Sequence, residues 1–98
     1  MNILAATITA YCHCAECCTV EGKLTASSVQ PVVGVTIAAP RSVPFGTWVE
    51  VRVSGRIYRR RVDDRLSRRH EGKWDVFMAS HAEAQRFGVK RGTVRILK

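Results

Sequence analysis

The stretch T-W-V-E-V-R-V-S-G-R-I-Y-R-R-R-V, residues 47–62, decides the class of this fold. From Thr47 to Val53 the residues alternate. Val49, Val51 and Val53 fall on one face of an extended chain, and Trp48, Glu50 and Arg52 on the other. Ser54-Gly55 is a two-residue hairpin connection, and Arg56 to Val62 return as the partner strand. A half-buried antiparallel hairpin at the centre of a short chain calls for more strands on either side.

They are readable outward from the hairpin. Residues 3–12 alternate loosely, with Thr7, Thr9 and Tyr11 set against Ile8 and Ala10, and predict a first strand. Val32 to Ala38 are an apolar run suited to a buried strand. Pro40 and Pro44-Phe45-Gly46 mark turns. Trp74 to Met78 form a short strand, and Thr93 to Leu97 a closing one. Ser80-His81-Ala82-Glu83 fits a capping box, in which the serine side chain accepts from the Glu83 amide. Gly88 stops the helix that follows, so a single short helix covers 81–87. Residues 65–73 read as a polar loop. Residues 13–31 read as a long one, above the ~12–15 residues usual for an unstructured connection, which marks it as functional or tied down. About six short strands with one short helix (about 80–88) predict a mainly β protein, a small barrel, since closure removes exposed edges. Ninety-eight residues make one domain, 1–98, with no room for a second core.

Charge is the unusual bulk property: 16 Lys and Arg against 8 Asp and Glu, a net +8. Such a surface favours polyanions: nucleic acid, anionic membrane or an acidic cell-wall polymer. The runs Arg59-Arg60-Arg61, Arg65 and Arg68-Arg69 carry much of it, and read equally well as a solvated basic face. No apolar run approaches ~18 residues, so no membrane insertion is expected. Met1 to Ala6 lack a charged start and a full apolar stretch, so no signal peptide is expected there. No helix-turn-helix, C2H2 spacing or RNP motif is present, which leaves nucleic acid resting on the arginine run alone.

The eight acidic residues can be sorted by place. Glu83 belongs to the capping box. Glu50 lies opposite the core valines, on the outward face. Glu16, Glu21 and Glu71 lie in loops. Asp63 precedes Asp64, so in an extended strand it faces the other way. Asp64 in V-D-D-R (62–65) and Asp75 in W-D-V-F-M (74–78) remain, and two carboxylates brought close make a general acid/base site. Asp75, flanked by Trp74, Val76 and Phe77, is the candidate acid/base, its pKa raised by desolvation and by the nearby Asp64 carboxylate. Asp64 would orient or polarise. The competing reading is structural: both hydrogen-bond turn amides and pair with Arg65.

All four cysteines, Cys12, Cys14, Cys17 and Cys18, lie within seven residues, so they staple only one another. Four soft donors with His13, His70 and His81 in the chain admit zinc. Local disulfides such as Cys14–Cys17 or Cys12–Cys18, and buried thiols, are the alternatives.

The motifs A-Y-C-H-C-A-E-C-C (10–18), L-T-A-S (24–27), V-T-I-A-A-P-R-S-V-P-F-G-T (35–47), V-D-D-R (62–65), G-K-W-D-V-F-M (72–78), S-H-A-E-A-Q-R-F-G (80–88) and V-R-I-L (94–97) together resemble the 3D domain, named for three aspartates. This domain is found in bacterial and phage-encoded cell-wall lytic enzymes. More distantly the chain is similar to rare lipoprotein A and expansin-like domains. The resemblance implies a double-psi β-barrel, as in the catalytic core of membrane-bound lytic transglycosylase A. It implies peptidoglycan glycan strands as substrate, cleaved without water to leave a 1,6-anhydro end, with action at the periplasm or cell wall and no required cofactor. Asp64 and Asp75 fall on the family's second and third aspartates, and the resemblance implies that Tyr11, Thr25 and Ser27 line the sugar groove, although Tyr11, like Trp48, reads more readily as ordinary barrel packing. Three positions depart from the pattern: Ala39 stands where the first aspartate is usual, and Ser28 and Leu66 where glycines are. The expectation is therefore a monomeric lytic transglycosylase, such as a phage-type lysin; a wall-binding barrel without catalysis is the alternative.

Overall fold

The computed structural model describes residues 3–12, 24–66 and 72–97. Six strands and one helix follow in order: β1 (Ile3–Tyr11), β2 (Thr36–Ala39), β3 (Trp48–Val53), β4 (Arg56–Arg65), β5 (Trp74–Phe77), α1 (His81–Phe87) and β6 (Lys90–Ile96). The strands close into a barrel in the order β1-β5-β2-β4-β3-β6. The pairs β1–β5 and β2–β4 are parallel, and the other four are antiparallel. Parallel neighbours need crossover connections rather than hairpins, and this mixture is compatible with a double-psi arrangement. The expected mainly β barrel with one short helix is thus the observed architecture.

The hairpin forms in the expected register, Val53 opposite Arg56 and Val51 opposite Tyr58. Ser54 and Gly55 both take positive φ, 52° and 74°, which matches the right-handed twist of the strands they join. Val49, Val51 and Val53 point inward with Ile8, Ile37, Val62, Val76 and Val94, and this apolar set fills the barrel. Each such side chain contributes about 1.5–3 kcal/mol by leaving water. The helix starts where the capping box puts it: Ser80 Oγ accepts from the Glu83 amide at 3.2 Å. It ends at Gly88, with φ 70°. Ala84 and Phe87 are its buried residues. It is the only helix among the described residues, and none there is long and apolar enough to cross a membrane.

Two local expectations are corrected, and a third is refined. The strand placed at 32–38 begins only at Thr36. Gly34 takes φ 88°, and the amides of Val35 and Thr36 both donate to the Val32 carbonyl, at 3.0 and 2.9 Å. These residues turn instead of pairing, and Val32 and Val33 stay exposed. β4 runs past Val62 to Arg65 and carries a bulge. Ile37 pairs with Val62, but Ala38 pairs with Asp64, which leaves Asp63 over. Glu50 does point away from the core valines, yet it is buried. Arg59 and Arg95 lie directly opposite it on the two neighbouring strands, and Arg52 Nε donates to it at 3.1 Å.

The arginine run at 59–61 is likewise spoken for in part. Arg61 forks onto Asp63, with Nε to Oδ1 at 2.7 Å and Nη2 to Oδ2 at 3.0 Å. Arg60 lies over the Tyr58 ring at 5.2 Å from its centroid, and burial pushes its pKa below the usual arginine value.

Where β6 crosses β3, the backbones approach closely at Gly92. A Cβ there would sit 2.4 Å from the Arg52 carbonyl oxygen and 3.0 Å from Val53 Cβ. Gly92→Ala is expected to destabilise the barrel by about 1–3 kcal/mol, the cost of overpacking, lowering the midpoint of a thermal melt followed by circular dichroism. An unchanged midpoint would show that the two strands separate freely.

Candidate active site

The site grows out of one row of paired residues. Across the sheet, Thr9 of β1 pairs with Asp75 of β5, Asp75 with Ala38 of β2, and Ala38 with Asp64 of β4. Directly paired residues project to the same side of a sheet. Ile37 and Ala39, which flank Ala38, are core residues, so the row lies on the outer face. Strands sit about 4.8 Å apart, so the two aspartate Cα atoms are about 10 Å apart with only an alanine methyl between them. A second, smaller apolar cluster of Tyr11, Ala38, Leu66 and Phe77 floors this outer face. Tyr11 and Phe77 meet edge to face at 5.3 Å.

Asp75 lies in a groove of about 340 Å³ lined by Thr9, Ala10, Tyr11, Leu66, Lys73, Asp75 and Val89. Its Oδ1 accepts from the Thr9 hydroxyl at 2.9 Å. That hydroxyl also has the Trp74 carbonyl at 3.3 Å, so it can turn to this acceptor when Asp75 carries the proton. Burial pushes the Asp75 carboxyl up to about 6; the Thr9 hydrogen bond opposes this, the Asp64 charge adds to it, and Lys73 opposes it. Desolvation leads because the charged form loses water and gains one hydrogen bond in return.

Asp64 is held as an acceptor. Tyr11 Oη donates to Oδ2 at 2.9 Å, and the amides of Ala26 and Arg65 donate to Oδ1 at 2.8 and 2.9 Å. Three donors fix its carboxylate, and it is not among the residues lining the Asp75 groove. Asp63 goes elsewhere: besides Arg61 it accepts from Thr36 Oγ1 at 3.0 Å. The bulge, rather than simple alternation, separates the two neighbouring aspartates.

The other candidate residues are placed as follows. Tyr11 is buried and reaches the groove through its ring. Thr25 is buried, its hydroxyl donating to the Val29 carbonyl at 2.8 Å and lying 3.1 Å from Ser27 Oγ. The Thr25–Val29 turn thereby aims the Ala26 amide at Asp64. Ser28, where the resembled motif has glycine, takes φ 69°, a left-handed conformation that glycine adopts without strain. Ala39, at the place of the first aspartate in the three-aspartate pattern that the sequence resembles, is fully buried in the core. Asp64 and Asp75 share the outer row with Ala38, and position 39 faces the other way. Leu66 occupies the groove floor. Cys12 is buried just past the end of β1, while Cys14, Cys17 and Cys18 lie outside the described residues, and with them the zinc and disulfide readings. Among the described residues no cluster of His, Cys, Asp and Glu suits a metal ion. Thr9, Lys73 and the Ala26 amide were not singled out from sequence. Thr9 had a signal in the outward Thr7–Thr9–Tyr11 stripe. The Ala26 amide had none.

In fold the barrel is similar to MltA from E. coli, with a TM-score of 0.61 and 22% identity over 82% of this chain and 28% of that chain. A second structure of MltA from Escherichia coli, described as revealing a unique lytic transglycosylase fold, gives 0.62 and 22% over the same shares. An aspartate-to-alanine variant of the E. coli lytic transglycosylase MltA in an apo form gives 0.60 and 23%, again over 82% and 28%. The likeness is one of fold, and the chain spans 28% of the length of those proteins. No family model matches the chain, and no curated protein does.

The raised Asp75 pKa has a sign in the stability of the fold. Between the ordinary aspartate value of 3.8 and about 6 the folded chain holds the proton that the unfolded chain has released. Stability therefore falls as pH rises through this window and stays lower above it, by an amount on the order of 2–3 kcal/mol. Asp75→Asn is expected to raise the unfolding free energy at pH 7–8 by about that much, with the gain shrinking to nothing below about pH 4. Denaturant melts of both proteins across pH measure it; a gain that grows towards acid contradicts it. Ser28→Gly is expected to add about 1 kcal/mol by relieving the left-handed backbone, read from the same melts. A loss would show that the serine side chain stabilises the turn.

Proposed function

We propose that the chain cleaves peptidoglycan glycan strands as a lytic transglycosylase, with Asp75 as the general acid and then base. The observation that carries this reading is a carboxyl in an open groove whose pKa burial raises to about 6, so that it can hold and deliver a proton near neutral pH. The fold shared with MltA from E. coli, a lytic transglycosylase, and the resemblance of the sequence motifs to the 3D domain support it.

In this reading the Asp75 proton goes to the glycosidic oxygen as its bond to C1 of the muramyl residue breaks. The 6-hydroxyl of the same sugar then bonds to C1 and gives its proton to the Asp75 carboxylate. The products are a free 4-hydroxyl and a 1,6-anhydro ring, and the carboxyl ends as it began. No water enters, so one titrating carboxyl suffices. Asp64, fixed by three donors, supplies negative charge that favours the protonated form of Asp75 beforehand and steadies positive charge at C1 during cleavage. Tyr11 anchors Asp64 while its ring lines the groove, and Thr25 and Ser27 act through the turn that bears the Ala26 amide. The site of action would be the periplasm or cell wall.

A glycan-binding barrel without catalysis is the second reading, favoured by the bulk that Leu66 places on the groove floor. Purified sacculi separate the two. Incubation with the wild-type protein is expected to release muropeptides with anhydro ends, identified by mass. Asp75→Asn is expected to reduce release about 10²–10⁴-fold, the usual contribution of general acid/base catalysis. Because the acid must be protonated, kcat/KM should fall about tenfold per pH unit above about 6. Retention of the protein on sacculi with no product at any pH would select the binding barrel.

A further inference from the structure

At the β3–β4 hairpin two clefts adjoin that share no residue with the Asp75 groove. One, of about 330 Å³, lies between the hairpin and α1 and includes Ser54, Arg56, Arg86 and Lys90. The other, of about 300 Å³, lies between Arg52, Arg56 and Arg91. Ser54 and Arg56 belong to both. Five cations thus surround a continuous surface, against Glu83 in the first cleft and Glu50, which Arg52 engages at 3.1 Å.

Apart from Arg52, these cations are not consumed by ion pairs among the described residues. Among the described residues the guanidinium groups of Arg56 and Arg86 make no hydrogen bond or ion pair. Arg91 spends one nitrogen on Thr7 Oγ1 at 2.8 Å and keeps its other donors. Lys90 rests over the Phe87 ring at 4.6 Å, which orients the ammonium without neutralising it. Arginine forks suit phosphate oxygens, which they grip in pairs. An arginine common to two adjoining basic clefts suits two successive phosphates on one chain.

The surface lacks what a single-stranded nucleic acid would want. Phe87 is buried, and its ring meets that of Tyr58 edge to face at 6.1 Å, so neither offers a free platform on which a base could stack. We propose that the hairpin end is a binding site for a flexible, non-nucleic polymer of repeating phosphodiesters, a polyol-phosphate chain. The site holds whether or not the Asp75 groove cleaves glycan.

The test is binding of the whole protein to labelled poly(glycerol phosphate), followed by fluorescence anisotropy over a sodium chloride series. Arg56→Gln with Arg86→Gln is expected to weaken binding at least about tenfold and to reduce the slope of log K against log salt by about 1.4, at ~0.7 for each phosphate no longer neutralised. Arg41→Gln with Lys73→Gln removes the same charge away from both clefts and is expected to change affinity less than about twofold. In the wild type, amide NMR shifts on titration should centre on residues 54–57, 86 and 90–91; this reading does not depend on any variant folding. Three results would overturn the proposal: equal losses in the two double variants, shifts centred on the Asp75 groove, or tighter binding of single-stranded DNA of the same phosphate number. No binding at ~50 mM salt, where electrostatic association is strong, would overturn it as well.

Discussion

Ala38 pairs with Asp75 on one side and with Asp64 on the other, and both the barrel and its site depend on that double pairing. β2 has four residues, all buried. It runs parallel to β4 and antiparallel to β5, so it joins two parts of the chain that no hairpin could bring side by side. Its inward residues Ile37 and Ala39 belong to the core. Its outward residue Ala38 is small, so only a methyl group stands between the two aspartates along the row. A larger residue would stand between them, and a polar one would give Asp75 a partner and weaken the desolvation that raises its pKa.

The two aspartates differ because their surroundings differ. Asp64 receives two backbone amides and a phenol. Asp75 accepts from the Thr9 hydroxyl, lies largely desolvated, and has Lys73 beside it in the groove. Two carboxyl groups in unlike surroundings are the usual basis for dividing acid and electrostatic roles. The bulge at Asp63 serves the same division. With Asp63 clamped by Thr36 and Arg61, Asp64 is turned onto the row that Ala38 defines. The burial of Asp75 works against stability at neutral pH, a cost often found where a group is arranged for chemistry rather than for packing.

Most of the fold was legible because its signals are local. The valine alternation of 49–53, the Ser54-Gly55 turn, the Ser80 cap and the Gly88 stop each act within a few residues. What was not legible depends on partners distant in sequence. Nothing near Asp63 announces a bulge; it follows from the register of β2, far back in the chain. Glu50 reads as an outward residue, and its burial was not legible because the strands of Arg59 and Arg95, which pair on either side of it, are distant in sequence. The apolar run from Val32 promised a strand, although Gly34 was a visible signal against its first half. In the site, Asp64 and Asp75 could be reached by sorting the acidic residues, but the Ala26 amide that fixes Asp64 is backbone and leaves no mark in the sequence. Ala39 looked like a loss beside the site because the three-aspartate pattern it was compared with is linear, whereas the strand turns that position into the core.

Everything proposed for the groove requires that the barrel hold a proton on Asp75 near neutral pH. Carbon-13 NMR of the aspartate carboxyl groups across pH measures it directly. One aspartate is expected to titrate near 6, assigned by its absence in Asp75→Asn and moved to lower pH in Asp64→Asn. An Asp75 midpoint near the ordinary aspartate value of about 3.9 would contradict it.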